Sequence, residues 1–533
     1  MINNSGSSVS AWMSIPDLHF TALQEDREAD VCVVGAGIAG LSAARELSRA
    51  GKKVVVLEAG EPGGGQTGRT TAHLASALDD GFRELERIHG EDGARLAAQS
   101  HRAAIDHMEK IAREERIACD LHRVDGYLFL GEGQPVTLLE QELAAALRAG
   151  MEGTTLLPRA PLSFDTGPCL RFPRQGQLHP MKYLAGILRS LQRADRSMIY
   201  HRTAVTEVHG GARPRVETAD GHAVRCGAVV VATNSPINDR FAIHTKQAPY
   251  TTYVIAARVP RGSVPRALYW DTLDPYHYVR LQHYPPQDGE QDLGSYDLLI
   301  VGGEDHKTGQ ADDQEARYQR LYQWAKERFP VENVEYRWSG QVMEPSDGLA
   351  FIGKNPTAEE NVYIATGDSG HGMTHGVIAG LLLTDLILGR ESPWAKLYAP
   401  SRKSLRSLGE LVRENLNVAL QLKDWVTAGD VESADQVAPG TGAVLRRGLR
   451  KIAVYRDPAG AIHERSAACP HLGCVVSWNG AEKMWDCPCH GSQFDAYGKV
   501  VNGPADRDLA HLDDSKPEPL LLKDLEQRAG AGE

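Results

Sequence analysis

The apolar positions of this chain change texture along its length. In "DVCVVGAGIAGLSAARELSRAGKKVVVLEAG", Asp30 to Gly60, an unbroken apolar run at Val31–Val34 gives way to glycines. Good helix formers follow from Leu41 to Ser48, and then a second apolar run, Val54–Leu57. Short unbroken runs predict strands buried on both faces. Gly51 closes the helical stretch as a C-cap. The segment reads as a βαβ opening of a parallel sheet. Asp79–Arg116, charged and Ala-rich, predicts helices. Further buried strands are predicted at "GAVVVATN" (Gly227–Asn234), "YDLLIVGGED" (Tyr296–Asp305) and the start of "NVYIATGDSGHG" (Asn361–Gly372), with a helix over Val377–Leu388. The sheet opened at Val31 is therefore completed more than three hundred residues later.

Beyond Arg390 the chain turns irregular at "ESPWAKLYAPSRKSL", and Leu408–Val426 predicts an exposed or interface helix. Short strands then alternate with turn signals at "DPAG", "WNG" and "DAYG". The expected class is α/β plus all-β. The expected organisation is an N-terminal extension (1–29), a nucleotide-binding and mixed-sheet unit (30–390, nucleotide-binding segments 30–80, 200–235 and 345–390), a linker with a helix (391–429), a small all-β domain (430–522) and a tail (523–533).

Composition narrows the classes. A chain of 533 residues exceeds one ordinary domain. Its net charge of -12, with no basic run, argues against a nucleic-acid partner. The longest apolar stretch, Val377–Gly389, contains a Thr and an Asp and is too short to span a bilayer. No apolar leader is visible, so a cytoplasmic protein without a transmembrane segment is expected. Cys32, Cys119, Cys169 and Cys226 are scattered singly and read as reduced, buried thiols.

Two motifs carry chemistry. Gly35-x-Gly37-x-x-Gly40 follows a strand and opens a helix, and Glu58 ends the next strand. Such glycines bring backbone amides close to a pyrophosphate, and the acid accepts from ribose hydroxyls. A second literal match, Gly63–Gly68, follows no separate strand and is read as a loop. Near the C-terminus stand Cys469-x-His471 and Cys487-x-x-His490, with Cys474 and Cys489 as one extra cysteine in each loop. These ligand types suit zinc or an iron–sulfur cluster, but the tight C-x-H spacing and the extra cysteines are poorly explained by zinc.

The pattern "CPHLGC" with "CPCHGS" resembles the Rieske family of the cytochrome bc1 and b6f type. That resemblance implies a small β-sandwich domain with a [2Fe–2S] cluster. Cys469 and Cys487 would hold one iron, His471 and His490 the other, and Cys474 and Cys489 would form a disulfide. It also matches Ser492 to a serine that hydrogen-bonds the cluster. Phe494 stands where high-potential members have a tyrosine, which implies a lower potential here. Ring-hydroxylating oxygenases, the other Rieske class, use different loops and need a separate iron site that is not seen.

The region from about Asp30 to Arg390 resembles the D-amino-acid oxidase superfamily, most closely its gamma-glutamylputrescine-oxidase-like members. The carrying stretches are the Asp30–Gly60 segment, "GRTTAHLAS", "GQLHPMKYLAGIL", "GAVVVATN" and "GDSGHGMTHGVIAG". The resemblance implies FAD in a Rossmann-like domain beside a mixed-sheet substrate domain. Arg69, Thr70, Thr71 and His73 would wrap the flavin, Val205 would meet the adenine, and Thr233 would end a cofactor-facing strand. Gly367, Asp368, Gly370, Gly372, Met373 and Thr374 would close over the diphosphate and ring. His73 lies where some related amine dehydrogenases attach FAD covalently; covalent and non-covalent readings stay open. His371 either faces the ring or satisfies a Gly-rich turn. Tyr278 and Arg280 lie on a strand over the flavin, where Arg280 binds a substrate carboxylate or is a surface ion-pair residue.

Together these readings imply an FAD-dependent dehydrogenase of an amine or amino acid. Electrons would pass from FAD to the cluster, and an exposed imidazole, His471 or His490, would deliver them to a ferredoxin-, cytochrome- or quinone-linked acceptor. The alternatives are inward flow, with the chain acting as a reductase or in a monooxygenase-like step, and a pure electron-transfer module.

Overall fold

The computed structural model describes residues 5–13, 18–238, 243–284, 296–357, 360–403, 425 and 427–512. A six-stranded sheet runs in the order Phe351–Lys354, Val362–Thr366, Ala228–Val231, Val31–Val34, Val54–Leu57, Ser197–Tyr200. All neighbours are parallel except Phe351–Lys354. The predicted apolar runs are its central strands, each buried along its whole length. The strand Val362–Thr366 does complete a sheet opened at Val31.

Helix Ile38–Arg49 packs against helix Gly372–Ile387 on this sheet. Glycines set the approach: a Cβ on Gly380 would lie 2.7 Å from the Ser42 Cβ. The predicted helical region is one element, Phe82–Glu114, interrupted at Gly90 (φ 73°).

The second layer is a nine-stranded mixed sheet. One side of it is Asn333–Pro345, at the edge, then Gln247–Pro260, Tyr296–Lys307 and Tyr278–Tyr284, all antiparallel. Leu268–Asp271 pairs in parallel with His122–Phe129. A smaller sheet of four strands carries Val205–His209 at one edge.

The C-terminal unit consists of two antiparallel sheets, Thr441–Arg447 with Arg450–Arg456 and Ile462–Ser466, and the four strands from Ser477–Asn479 to Val500–Asn502. The helix expected over Leu408–Val426 lies outside the described residues apart from Trp425, and so does the 523–533 tail. Among the described residues no helix is long and apolar enough to cross a membrane.

The C-terminal unit is docked firmly. Glu482, at its 480–483 turn, is buried 3.2 Å from the Arg69 guanidinium and accepts from the Ser339 hydroxyl at 2.6 Å. N-terminal residues lie in the same seam. The Ser8 amide and hydroxyl donate to Glu482, and Trp12 Nε1 donates to the Thr70 carbonyl at 2.6 Å.

Candidate functional site

One cavity of about 1030 Å³ lies between the nucleotide sheet and the nine-stranded sheet. That is at or above the roughly 300–1,000 Å³ of ordinary small-ligand sites, room for an extended dinucleotide and a small substrate. At one wall the βαβ turn presents Gly35 and Gly37. Gly35 has φ +102°, and a Cβ there would lie 2.4 Å from the Ala232 carbonyl, so only glycine fits. Gly37 is the N-cap of Ile38–Arg49 and offers no side chain to its amides. A helix end whose cap residue carries no side chain suits a phosphate. Glu58 is half-buried, desolvation raises its pKa, and its oxygens accept from the Ala36 and Gly60 amides. Gly40 does not line the cavity. It packs on Gly35, where a Cβ would lie 1.9 Å from the Gly35 carbonyl oxygen.

Arg69, Thr70, Thr71, His73, Val205, Thr233, Gly367, Asp368, Gly370, Gly372 and Met373 all line this cavity. Thr374 does not; its hydroxyl meets His101 Nδ1 at 2.9 Å behind the wall. His73 has both ring nitrogens engaged, Nδ1 with the Thr71 hydroxyl at 3.1 Å and Nε2 with the Val279 carbonyl at 3.3 Å. Burial, helped by the Arg280 charge, lowers its pKa to about 3, so the ring is neutral.

Of the three residues given reactive roles, two line the cavity. The Tyr278 hydroxyl meets Thr252 at 2.9 Å. His371 Nε2 lies 3.0 Å from the Asp79 amide nitrogen and 3.3 Å from an Asp79 carboxylate oxygen. Burial opposes the imidazolium, but the Asp79 charge outweighs it and raises the pKa. Arg280 is absent from the cavity wall. It is fully buried, donating to the carbonyls of Thr71, Ala72 and Leu178 and to the Gln282 side chain. It is neither a substrate-facing cation nor a surface ion-pair residue. Its guanidinium staples the 71–72 turn behind the cavity wall to the large sheet.

The C-terminal loops bring the four expected ligands together in a buried cluster. Cys469 and Cys487 hydrogen-bond to one another, and the His471 and His490 rings stand 5.0 Å apart. Burial opposes a Cys469 thiolate, but hydrogen bonds from Cys487, the His471 amide and Ser492 outweigh it and lower its pKa, while Cys487 is raised. His490 Nδ1 is buried without a hydrogen-bond partner, and burial brings the ring to about 3, the neutral ligand form. Two thiols, two imidazoles and an orphaned ring nitrogen fit a Rieske [2Fe–2S] cluster. Cys474 and Cys489 form the expected disulfide, Cα–Cα 6.4 Å.

The imidazoles are not exposed, which corrects the expectation of a solvent-facing exit. His471 and His490 are 9% and 5% accessible because the cluster end faces the other domain. There the His244 ring packs edge-on to both, at 5.0 and 5.9 Å.

Comparison with known proteins agrees with this geometry. The FAD-dependent oxidoreductase (DAO) family matches residues 30–386, and the Rieske [2Fe-2S] domain family matches 427–513. The chain belongs to the FAD-dependent oxidoreductase family. The oxidoreductase is also 33% identical over 507 residues to YhfW of Bacillus subtilis (strain 168), described as a Rieske 2Fe-2S iron-sulfur protein, covering 94% of this chain and 97% of that one. It is 27% identical to gamma-glutamylputrescine oxidoreductase of Escherichia coli (strain K12), over 69% of this chain and 86% of the relative. Among solved structures, glycine oxidase from Geobacillus kaustophilus superposes with TM-score 0.58 at 19% identity, over 71% of this chain and 99% of that one, a likeness of fold. The oxidoreductase thus uses FAD and a [2Fe–2S] cluster.

Several cavity residues of the oxidoreductase escaped the sequence reading. The Gly63–Gly68 segment, read as a loop, lines the cavity as the turn leading into a short 3-10 helix, and Thr67 Oγ1 accepts the Ile38 amide at 3.1 Å. Gln341 lines the cavity, and its Nε2 donates to the Gly491 carbonyl at 2.8 Å. No local pattern marks Gln341 or His244; only their partners do.

Proposed function

We propose that the protein is an FAD-dependent dehydrogenase of an amine or amino acid whose electrons leave through its own Rieske domain to an external one-electron acceptor. The carrying observation is Gln341, a residue of the flavin cavity's wall bonded to the carbonyl next to the cluster ligand His490. When bound, FAD supplies a two-electron acceptor and the cluster a one-electron carrier.

The chain's residues supply the rest. The segment Thr233–Ile237 lines the cavity on one side and, through Ser235 and His244, backs onto His471. Arg69 and Glu482 hold that junction in register. Trp270, Tyr276 and Tyr278 shape the substrate end and exclude water. The two engaged nitrogens of His73 support non-covalent FAD. The acceptor approaches the C-terminal domain away from the buried imidazoles. The same reading keeps the division into 30–390 and 430–522, the cofactor contacts at the cavity residues named above, and a cytoplasmic location, which the four single, unpaired cysteines support.

The test is anaerobic mixing of the holo-protein with amines and amino acids, following flavin bleaching and the cluster's paramagnetic signal together. The reading expects bleaching, then a cluster signal growing at a rate independent of protein concentration. Bleaching without that signal, or flavin reduction only from a chemically reduced cluster, sinks it.

A further inference from the structure

The cavity wall holds more carboxyl groups than the reading above uses. Asp79, Asp305, Glu344 and Asp368 all line it. Three are engaged: Asp79 accepts from the Tyr276 hydroxyl at 2.9 Å, Glu344 from the Ser369 hydroxyl at 2.8 Å, and Asp368 from the Met343 amide at 3.1 Å. Asp305 is only half satisfied: Thr252 hydrogen-bonds to its carboxylate, but its Oδ1 is buried with no hydrogen-bond partner. A buried carboxylate oxygen left without a donor is costly unless a ligand supplies one.

The surroundings of Asp305 favour a cation. Tyr276 and Tyr278 share its part of the wall, their rings 5.4 Å apart, and the His73 ring stands edge-on to Tyr278 at 5.5 Å. A carboxylate flanked by aromatic faces binds an ammonium through charge and cation–π attraction together. Burial pushes the Asp305 carboxyl up to about 7 against the Thr252 hydrogen bond and the Arg317 charge, with the Asp79 and Asp274 charges adding to the rise. A cation alongside would reverse it.

The opposite feature, a guanidinium offered to a carboxylate, is missing there among the described residues. Arg280 is spent on carbonyls behind the wall. Arg69 is paired with Glu482. Arg317, which acts on Asp305, lies outside the lining and is spent on Asp313 and the carbonyls of Glu304 and Asp305. Arg202 is paired with Glu61 on the nucleotide side. Lys499 and Arg507 belong to the C-terminal loop that meets Ser235 and Ile237, on the nucleotide side too.

Resting on the dehydrogenase reading, we propose that Asp305, with the Tyr276 and Tyr278 rings, is the recognition site for a substrate ammonium group, and that the substrate is an amine with no carboxylate on the nitrogen-bearing carbon. The site discriminates against amino acids, which would bring a second negative charge into an acidic wall.

The test uses full-length, FAD-loaded protein and matched probes: short straight-chain amines such as n-butylamine, and their 2-carboxylated counterparts such as norvaline. Affinity is read anaerobically by calorimetry and by perturbation of the flavin spectrum. The expected result is that the amines bind at least about tenfold tighter than their amino-acid partners, and that Asp305→Asn costs the amines about tenfold or more, as for a lost charged hydrogen bond. The amino acids should be weakened little or improved. The wild-type ratio decides alone if the variant does not fold. Amino acids binding as well as the amines, no binding by either set, or amine affinity unchanged in Asp305→Asn overturns the proposal. If amino acids reduce the flavin while the amines do not bind, the proposal falls and the dehydrogenase reading stands. Reduction by neither class sinks both.

Discussion

The Gln341 side-chain amide donates to the Gly491 carbonyl at 2.8 Å, so a residue of the cavity wall grips the one that follows a cluster ligand. Removing the donor leaves a buried acceptor unsatisfied, at a cost of about 1–3 kcal/mol. Gln341→Ala should lower the denaturation midpoint accordingly. In rapid mixing with substrate it should slow the growth of the cluster signal more than the bleaching of the flavin. Equal slowing of both would count against a bridging role.

Glu482 and Arg69 form a buried pair, and taking away one partner strands the other charge. Glu482→Ala should destabilise the protein by about 3–5 kcal/mol, and it should weaken FAD retention because Arg69 lines the cavity proposed for FAD. The pair also sets an acid limit. Burial disfavours the Glu482 carboxylate, but Arg69 and the Ser339 and Ser8 hydrogen bonds outweigh it and lower its pKa below the ordinary 4.5. A depressed folded-state pKa gives stability that is present above the unfolded value and lost as pH falls through the folded one. Thermal unfolding below pH 4.5 should therefore show a steeper loss in the wild type than in Glu482→Gln.

His490→Ala and Cys487→Ser each remove a proposed cluster ligand without touching the cavity wall. Both should abolish the Rieske paramagnetic signal and keep the flavin absorbance. Zinc in the purified wild-type protein, in place of iron and sulfide, would contradict the assignment of these ligands.

Phe494 is fully buried in the C-terminal core, with no hydroxyl to offer the cluster. Phe494→Tyr should raise the cluster's midpoint potential, measured by redox titration of its paramagnetic signal. An unchanged or lower potential would mean that this position does not tune the cluster.

Much of the molecule was legible from local pattern. Four-residue apolar runs marked the central strands at Val31, Val54 and Ala228, because parallel strands are covered on both faces. The cysteine and histidine loops marked the cluster, because ligation fixes residue type and spacing. What escaped was long-range. Arg280 looked available for a substrate carboxylate, since nothing within its strand shows that the carbonyls of Thr71 and Leu178 claim it. His471 and His490 looked free to face water, since His244 lies more than two hundred residues away in sequence. The N-terminal segment read as an extension because Ser8 has no neighbour in sequence resembling its partner Glu482.

The buried seam shared by Ser8, Arg69, Ser339 and Glu482 has a consequence for how such a chain is inherited. Neither half has a finished surface at that boundary; each contributes part of a single buried network. Recombination that exchanges one half for a relative's must carry the arginine, the glutamate and the serines as a set. The seam is therefore a poor crossover point, and it is where paired substitutions between relatives should concentrate.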